Sequence, residues 1–236
     1  MARTASRKGR EGREGTGAVV DRLAHERELL ASGITLLAGL DEAGRGPLAG
    51  PVVAAAVMFP VAWLRSEFPA ELAKLNDSKQ LTETQREHYF TWLTSRAEVR
   101  YAIAQAGAAV IDHINILQAT HRAMNDALAQ ITPTPAHVLV DGLCVRSLRW
   151  AQTPLVKGDA RSYSIAAASV LAKVTRDRLM RQFDRQFPGY GFAEHKGYGT
   201  PAHLAALAWL GPCPIHRRSF APLKAEQEEL FVKEGR

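Results

Sequence analysis

Leu37-Ala38-Gly39-Leu40-Asp41-Glu42-Ala43-Gly44-Arg45-Gly46-Pro47-Leu48-Ala49-Gly50-Pro51 is the stretch on which the reading of this chain turns. An apolar run ends in two adjacent carboxylates, and a glycine-rich turn carrying one arginine follows. Val52 to Phe59 is apolar again, so the order is strand, turn, strand. Neighbouring side chains of a regular strand point to opposite faces, which keeps Asp41 and Glu42 from sharing a ligand. The glycines behind them predict that the backbone leaves strand geometry there and lets both carboxylates converge. Two acids at a sheet end, beside turn N–H groups and a guanidinium, suit a metal ion gripping a phosphate. A hairpin with merely solvated acids is the alternative, and the apolar residues running directly up to the pair weigh against it.

The bulk numbers frame that site. A chain of 236 residues, 46% of them hydrophobic, is long enough for one substantial domain with appendages. The formal charge of +6 favours an anionic partner such as nucleic acid. Half of it is local: Arg3, Arg7, Lys8, Arg10 and Arg13 stand against Glu11 and Glu14 in the first fifteen residues, five minus two. That Arg/Gly/Ser/Glu composition predicts a disordered basic tail over 1–17, ahead of one folded domain over 18–221 and a charged end over 222–236. Two cysteines, Cys144 and Cys213, make no disulfide framework. With no apolar run near the roughly 18 residues of a membrane span and no secretory signal, the expectation is a cytoplasmic protein off the membrane.

Outward from the acidic turn, Ala18 to Leu30 has helical spacing and closes near Gly33. Ile34 to Leu40 is expected as the first strand and Val52 to Met58 as a buried second one. Pro60 to Pro69 reads as irregular, with Trp63 and Phe68 packing it onto the body. Thr82-Glu83-Thr84-Gln85 fits a capping box, so a helix is predicted from Glu83 to about Ala97. Lys79 just before it is placed to touch a phosphate, although a solvated lysine in a capping loop explains it equally well. Val99 to Ala106 alternates as a third strand. Val110, Ile114, Leu117, His121, Met124, Leu128 and Ile131 trace one continuous helical stripe, on which His121 reads as a hydrogen-bonded core histidine rather than a ligand.

His137 to Asp141 repeats the opening theme, a short strand delivering an acid with glycine next. Thr153 to Val156 is another strand, and Asp159 lies just past its end. Ser162 to Phe187 reads as one long helix, on which Asp177 looks like a surface partner of Arg181. Thr200 and Pro201 cap and open a helix to about Leu210. Cys213 and His216 hint at a metal pair, but no second pair at useful spacing exists for structural zinc.

Asp41, Glu42, Asp141 and Asp159 therefore all follow buried strands, and such ends can meet on one edge of an open α/β sheet. Clustered carboxylates raise one another's pKa, and divalent cations resolve the conflict. Hard oxygen ligands of this type suit Mg²⁺ or Mn²⁺. Two such ions roughly 4 Å apart would activate a water and stabilise the leaving oxygen of an in-line phosphoryl displacement.

At this point the sequence resembles a known family, ribonuclease HII (type 2 ribonuclease H). Asp41 to Pro51 matches its signature, and the resemblance continues through Asp77-Ser78-Lys79, Val140-Asp141-Gly142, Lys157-Gly158-Asp159, Ser162 to Ser169, Ala172 to Asp177, His195 to Thr200 and Arg217-Arg218-Ser219-Phe220. Gln80 stands where many members have a second lysine. The resemblance implies an α/β, RNase H-like fold, with a mixed central sheet flanked by helices and a C-terminal helical extension. It implies an endonuclease that hydrolyses the RNA strand of RNA–DNA hybrids and nicks 5′ of single ribonucleotides in duplex DNA, leaving 3′-OH and 5′-phosphate ends. Carried over by position, Asp41, Glu42, Asp141 and Asp159 are the catalytic metal-binding acids. Gly44-Arg45-Gly46 reads the 2′-OH beside the scissile phosphate, and Tyr198 packs on the sugar at the RNA–DNA junction. Hybrid and ribonucleotide-containing duplex are the expected partners, and a monomer the expected state.

Two other classes compete. A nucleotide-binding protein would use the glycine turn as a phosphate cradle, but no G-x-x-x-x-G-K-[ST] is present and Pro47 removes an N–H from the turn. A non-catalytic nucleic-acid-binding module has no need of acids delivered from three strand ends.

Overall fold

Five strands, β1 (Leu37–Ala43), β2 (Val52–Met58), β3 (Arg100–Ala106), β4 (His137–Asp141) and β5 (Ala151–Leu155), form one sheet in the order β3-β2-β1-β4-β5. This computed structural model describes residues 21–224, so the basic tail, the start of the first expected helix and most of the charged end lie outside the described residues. β2 pairs antiparallel with both β1 and β3, whereas β4 pairs parallel with both β1 and β5. The sheet is therefore mixed, and the C-terminal ends of β1, β4 and β5 lie on one edge. Every residue of β2 is buried, which is why its apolar run does not alternate.

The helices are α1 (Ala24–Ala31), α2 (Glu83–Thr94), α3 (Ala108–Ala129), α4 (Tyr163–Gln186), the single turn α5 (Phe192–His195) and α6 (Pro201–Leu210). α4 covers one face of the sheet with Ala166 to Ala168, Val170, Leu171 and Val174 against Leu37, Val53, Ala55 and Val57. α3 covers the other with Ala123, Met124, Ala127 and Leu128 against Leu40, Ala54, Val138 and Val140. The approach of α4 is close: a Cβ on Gly39 would sit 2.1 Å from the Ser164 carbonyl carbon, so only glycine fits there. α5 and α6 pack on the end of α4, where Met180, Tyr190, Phe192 and Cys213 enclose Ala49.

Local signals account for several of these boundaries. Thr82 Oγ1 accepts from Gln85 N, and Gln85 Oε1 accepts from Thr82 N, so the capping box forms as expected. Ser162 caps α4, and Thr200 caps α6 with Pro201 at its first position. Phe59 lies against Trp63 and Phe68, tying their segment to the body as expected, although Trp63–Glu67 is a short π-helical stretch rather than irregular chain.

Other expectations need correction. β1 does not stop at Leu40 but runs through Asp41 and Glu42 to Ala43, because its antiparallel pairing with β2 continues that far. α2 ends at Thr94, which leaves Ala97 outside it and exposed. The stripe along α3 is not continuous: Asn115, at φ 64° and ψ 164°, breaks the helix, and Leu117 just beyond is 46% exposed. Asp177 is buried rather than on the surface and binds Lys173 Nζ at 2.7 Å, while Arg181 reaches Glu83 and Glu87 instead.

Candidate active site

The register decides which acids meet. Leu40 pairs with Val140 across the parallel β1–β4 ladder, so Asp41 and Asp141 follow at the same level on the same edge. Side chains alternate along a strand. Leu37 and Gly39 face α4 while Ala38 and Leu40 face α3, so Asp41 points to the α4 side and Glu42 to the α3 side. Asp159 joins from the 3₁₀ turn Gly158–Ala160 after β5. One carboxylate oxygen from each of Asp41, Asp141 and Asp159 lies within 4.8 Å of the others. Glu42 is not in that group. Its carboxylate takes a hydrogen bond from Arg45 Nη1 at 3.2 Å on the other side of the strand. The backbone does leave strand geometry at Gly44, at φ 94°, but only after β1 has run through both acids to Ala43, so strand alternation still keeps Glu42 out of the cluster.

Backbone amides fix the clustered carboxylates. Asp41 Oδ1 accepts from Glu42 N at 2.7 Å, and Asp141 Oδ1 accepts from Gly158 N at 2.7 Å. A Cβ on Gly158 would lie 2.6 Å from Ile165 Cδ1, so glycine is required where the turn passes under Asp141. Behind Asp159, Arg22 holds the Asp159 carbonyl at 2.6 Å and Glu26, buried in α1, accepts from Ser162 Oγ at 2.6 Å and Ser164 N at 3.2 Å. Arg22, just before α1, and Glu26 within it thus anchor the third acid's turn and the start of α4 together.

The electrostatics are those of an unneutralised site. Burial pushes the Asp41 carboxyl well above the usual carboxylate range, and repulsion from Glu42 and Asp141 pushes it the same way. Asp159 is raised to about 6 by burial, then by Asp141 and Asp77. Burial also raises Glu42, against the pull of Arg45. Among the described residues none of Asp41, Asp141 and Asp159 has a salt-bridge partner. Convergent carboxylates without a cation of their own are the donor set that hard divalent ions take.

Beside the acids a cavity of about 370 Å³ brings together Gly44, Arg45, Gly46, Lys79 and Tyr198 with Asp41, Glu42 and Asp141. Two fully buried arginines shape its glycine turn. Arg176 of α4 donates to the carbonyls of Pro51, Lys196 and Ala49 at 3.0, 3.0 and 3.1 Å. Arg217 donates to Gly50 O at 3.0 Å, to Arg45 O at 2.8 Å and to Gly44 O. In a planar trans peptide the N–H opposes the C=O. Drawing the carbonyls of Gly44 and Arg45 inward onto Arg217 therefore turns the amides of Arg45 and Gly46 outward. Arg217 is lowered to about 9 by burial and by Arg176, which leaves it cationic at neutral pH. Outward amides over buried positive charge form an anion-binding concavity.

Tyr198 is 47% exposed, and its ring lies 3.9 Å from where a Gly46 Cβ would be, so it borders the turn rather than the C-terminal core. Arg176, Arg217 and the Asp77 that faces Asp159 are contributors that sequence reasoning did not single out. Asp77 sits in a matched segment, which was a usable signal. Arg176 and Arg217 also lie in matched segments, but nothing in their local hydropathy marked them as buried.

Comparison with known proteins identifies the family and the fold. The family model described as ribonuclease HII matches residues 38–223. A ribonuclease HII of Geobacter metallireducens is 53% identical over 193 residues, covering 82% of this chain and 87% of that protein. The crystal structure of ribonuclease H2 from Pyrococcus horikoshii superposes with a TM-score of 0.69 at 26% identity, over 83% of this chain and 98% of that one. Bst-RNase HIII in complex with Mn²⁺ shares the fold, with a TM-score of 0.58 at 19% identity, over 88% of this chain and 74% of that one.

Proposed function

The chain belongs to the ribonuclease HII family, and from that premise we propose how it works and on what. Members are metal-dependent endoribonucleases that cut the RNA of RNA–DNA hybrids, and the coarse activity of this chain is the same. Beyond it, the chain nicks 5′ of a single ribonucleotide embedded in duplex DNA. Asp41, Asp141 and Asp159, with Glu42 on the far side of β1, are the metal-binding catalytic acids. The single observation that carries this reading is the convergence of three carboxylates, none with a salt bridge among the described residues, beside an outward-facing glycine turn.

Two divalent ions, Mg²⁺ or Mn²⁺, supply when bound an activated water and a stabilised leaving oxygen. The chain's own groups do the rest. The amides of Arg45 and Gly46 hold the scissile phosphate and its neighbouring 2′-OH, the group that separates RNA from DNA. Arg45 and Lys79 add positive charge at the rim, and the exposed ring of Tyr198 packs on the sugar at the RNA–DNA junction. Water adds to phosphorus, the P–O3′ bond breaks, and O3′ leaves with a proton, giving 3′-OH and 5′-phosphate ends. The catalytic unit is taken to span 18–221 and to act as a cytoplasmic monomer; among the described residues no helix is long and apolar enough to cross a membrane.

The deciding experiment is cleavage of two labelled duplexes, an RNA–DNA hybrid and DNA with one ribonucleotide, with Mg²⁺, with Mn²⁺ and with chelator. A nick 5′ of the single ribonucleotide that depends on metal is the expected result. Cleavage of the hybrid alone removes the finer claim, and chelator-resistant cleavage removes the metal mechanism.

A further inference from the structure

Beyond the acids, on the α3 side of the sheet, a second cavity of about 570 Å³ opens from Glu42, Arg45 and Asp141. Its floor is the loop between β4 and β5, and its opposite wall is the part of α3 that follows the break at Asn115. A further hollow of about 390 Å³ shares Gln118, His121 and Ser147 with it and continues past Arg122 and Arg149. The two make one groove that starts at the catalytic carboxylates and leads away from them.

Three features of this groove match a nucleic-acid strand. The first is charge: Arg146 and Arg149 stand along it, and among the described residues neither has a carboxylate partner. The second is apolar exposure, with Leu143 at 78% and Leu117 at 46% both lining the first cavity. Sugars and base faces are the parts of a strand that such side chains cover. The third is rigidity. His121 Nδ1 lies 2.9 Å from Ser147 Oγ, Asn125 Nδ2 donates to Ser147 O at 3.2 Å, and Arg149 N donates to Asn125 Oδ1 at 3.3 Å. Gln152 holds Val145 from both sides, accepting from its N–H and donating to its carbonyl, each at 2.9 Å. A loop clamped onto α3 at this many points presents Leu143, Arg146 and Arg149 in fixed positions, which lowers the ordering cost of binding.

The break in α3 belongs to the same construction. Asn115 Oδ1 accepts from Gln118 N at 3.1 Å and so caps the second half of the helix. A non-glycine residue at positive φ is strained and persists only where its surroundings hold it. Here Asp112, one turn earlier, holds the backbone of Arg218 and Ser219 at 2.9 Å each, while the second half follows the β4–β5 loop.

We propose that this groove carries the cleaved strand onward from the reacting phosphate, with Arg146 and Arg149 on successive phosphates and Leu143 against a sugar or base. The inference rests on the endonuclease reading above and adds the path of the strand to it. Contacts to phosphates and to a sugar or base face carry no sequence information, so this grip is independent of sequence.

The test is steady-state cleavage by wild type, by Arg146→Gln/Arg149→Gln and by Leu143→Ala, all exposed positions outside the acid cluster. The substrates are RNA–DNA hybrids with one fixed cut site, trimmed stepwise from one side and then from the other. On long hybrids the double variant is expected to raise KM about tenfold, with kcat within about twofold. The salt dependence of KM flattens by roughly two counterions, about one for each phosphate no longer neutralised. On hybrids trimmed from the side that enters the groove, variants and wild type become equal. Equal KM and salt slope on every length overturns the groove while an active wild type leaves the function standing. A deficit that persists on the shortest hybrids from either side also overturns it, since the residues would then act at the cut itself. A wild type that cuts no hybrid overturns the function and the groove with it.

Discussion

His203 Nε2 lies 3.0 Å from His216 Nε2, and both rings are buried beneath the loop that carries Tyr198. The partners around them assign the protons. Cys213 N donates to His216 Nδ1 at 3.0 Å, so the proton of a neutral His216 sits on Nε2 and points at His203. His203 Nε2 accepts it, which leaves His203 Nδ1–H to donate to the Tyr198 carbonyl at 2.9 Å. The chain is complete only while both rings are neutral. Burial, then His203, then the further charges of Arg218 and His195, lower His216 to about 4.

A base whose pKa is lower folded than unfolded binds more protons when unfolded. Its stabilising contribution is therefore full above the ordinary histidine value near 6.5 and is lost as pH falls from there through about 4. Comparison with His216→Ala isolates it. The stability gap between wild type and variant, measured by urea unfolding, is expected to be wide at pH 7 to 8 and to narrow steadily down to pH 4. A gap that stays constant over that range removes the neutral-pair assignment.

Asp41→Asn is expected to lower cleavage by at least about a thousandfold, since positioned oxygen ligands are what the metal ions need. In metal-free protein the same change is expected to raise Tm by about 2–4 °C, equivalent to about 1 kcal/mol. The sign follows from linkage: a carboxyl raised by burial and by Glu42 and Asp141 opposes folding above its unfolded pKa, most fully above its folded one. Calorimetry with and without Mg²⁺ checks both halves, because Mg²⁺ should stabilise wild type and leave the variant almost unmoved.

Gly39→Ala is expected to cost about 3 kcal/mol or more, because the new methyl meets the α4 backbone at Ser164 and neither element is free to shift. Gly107→Ala, where nothing lies within 4 Å, is the matched control and is expected within about 1 kcal/mol of wild type. Urea midpoints of the two variants decide it, and equal losses would refute the close approach of α4 to β1.

Tyr198→Ala is expected to leave Tm within about 2 °C, since the ring is half exposed. Activity on a single embedded ribonucleotide is expected to fall about 10- to 100-fold, the scale of one stacking interaction worth roughly 1–3 kcal/mol. Activity on a continuous hybrid should fall less. Equal losses on both substrates together with a large drop in Tm would assign the ring to the core instead.

Deleting residues 1–17 removes five basic and two acidic side chains. Maximal rate is expected to be unchanged, with modestly weaker hybrid binding and a shallower salt dependence. Loss of the maximal rate would extend the catalytic unit into the tail.

What the amino-acid order determined here is local. A capping box needs only Thr82 and Gln85 three apart, and α4 needs only Ser162 followed by unbroken apolar spacing, so both were legible without a fold. The short apolar runs before Asp41 and Asp141 likewise announced acids at strand ends, because hydropathy reports burial segment by segment. Which acids meet was a different matter. Asp41 and Glu42 are neighbours in the chain, and only the parallel register of β1 on β4, with α4 on one face, brings Asp41 into the cluster with Asp141 and leaves Glu42 outside it. Arg176 and Arg217 look like ordinary surface arginines in sequence, yet folding buries both under the Gly44–Pro51 turn, where they draw its carbonyls inward. Asn115 breaks a stripe whose spacing is unbroken in sequence. Periodicity records which residues are apolar along one segment; register, burial of charge and the turn of a helix depend on partners supplied by the rest of the chain.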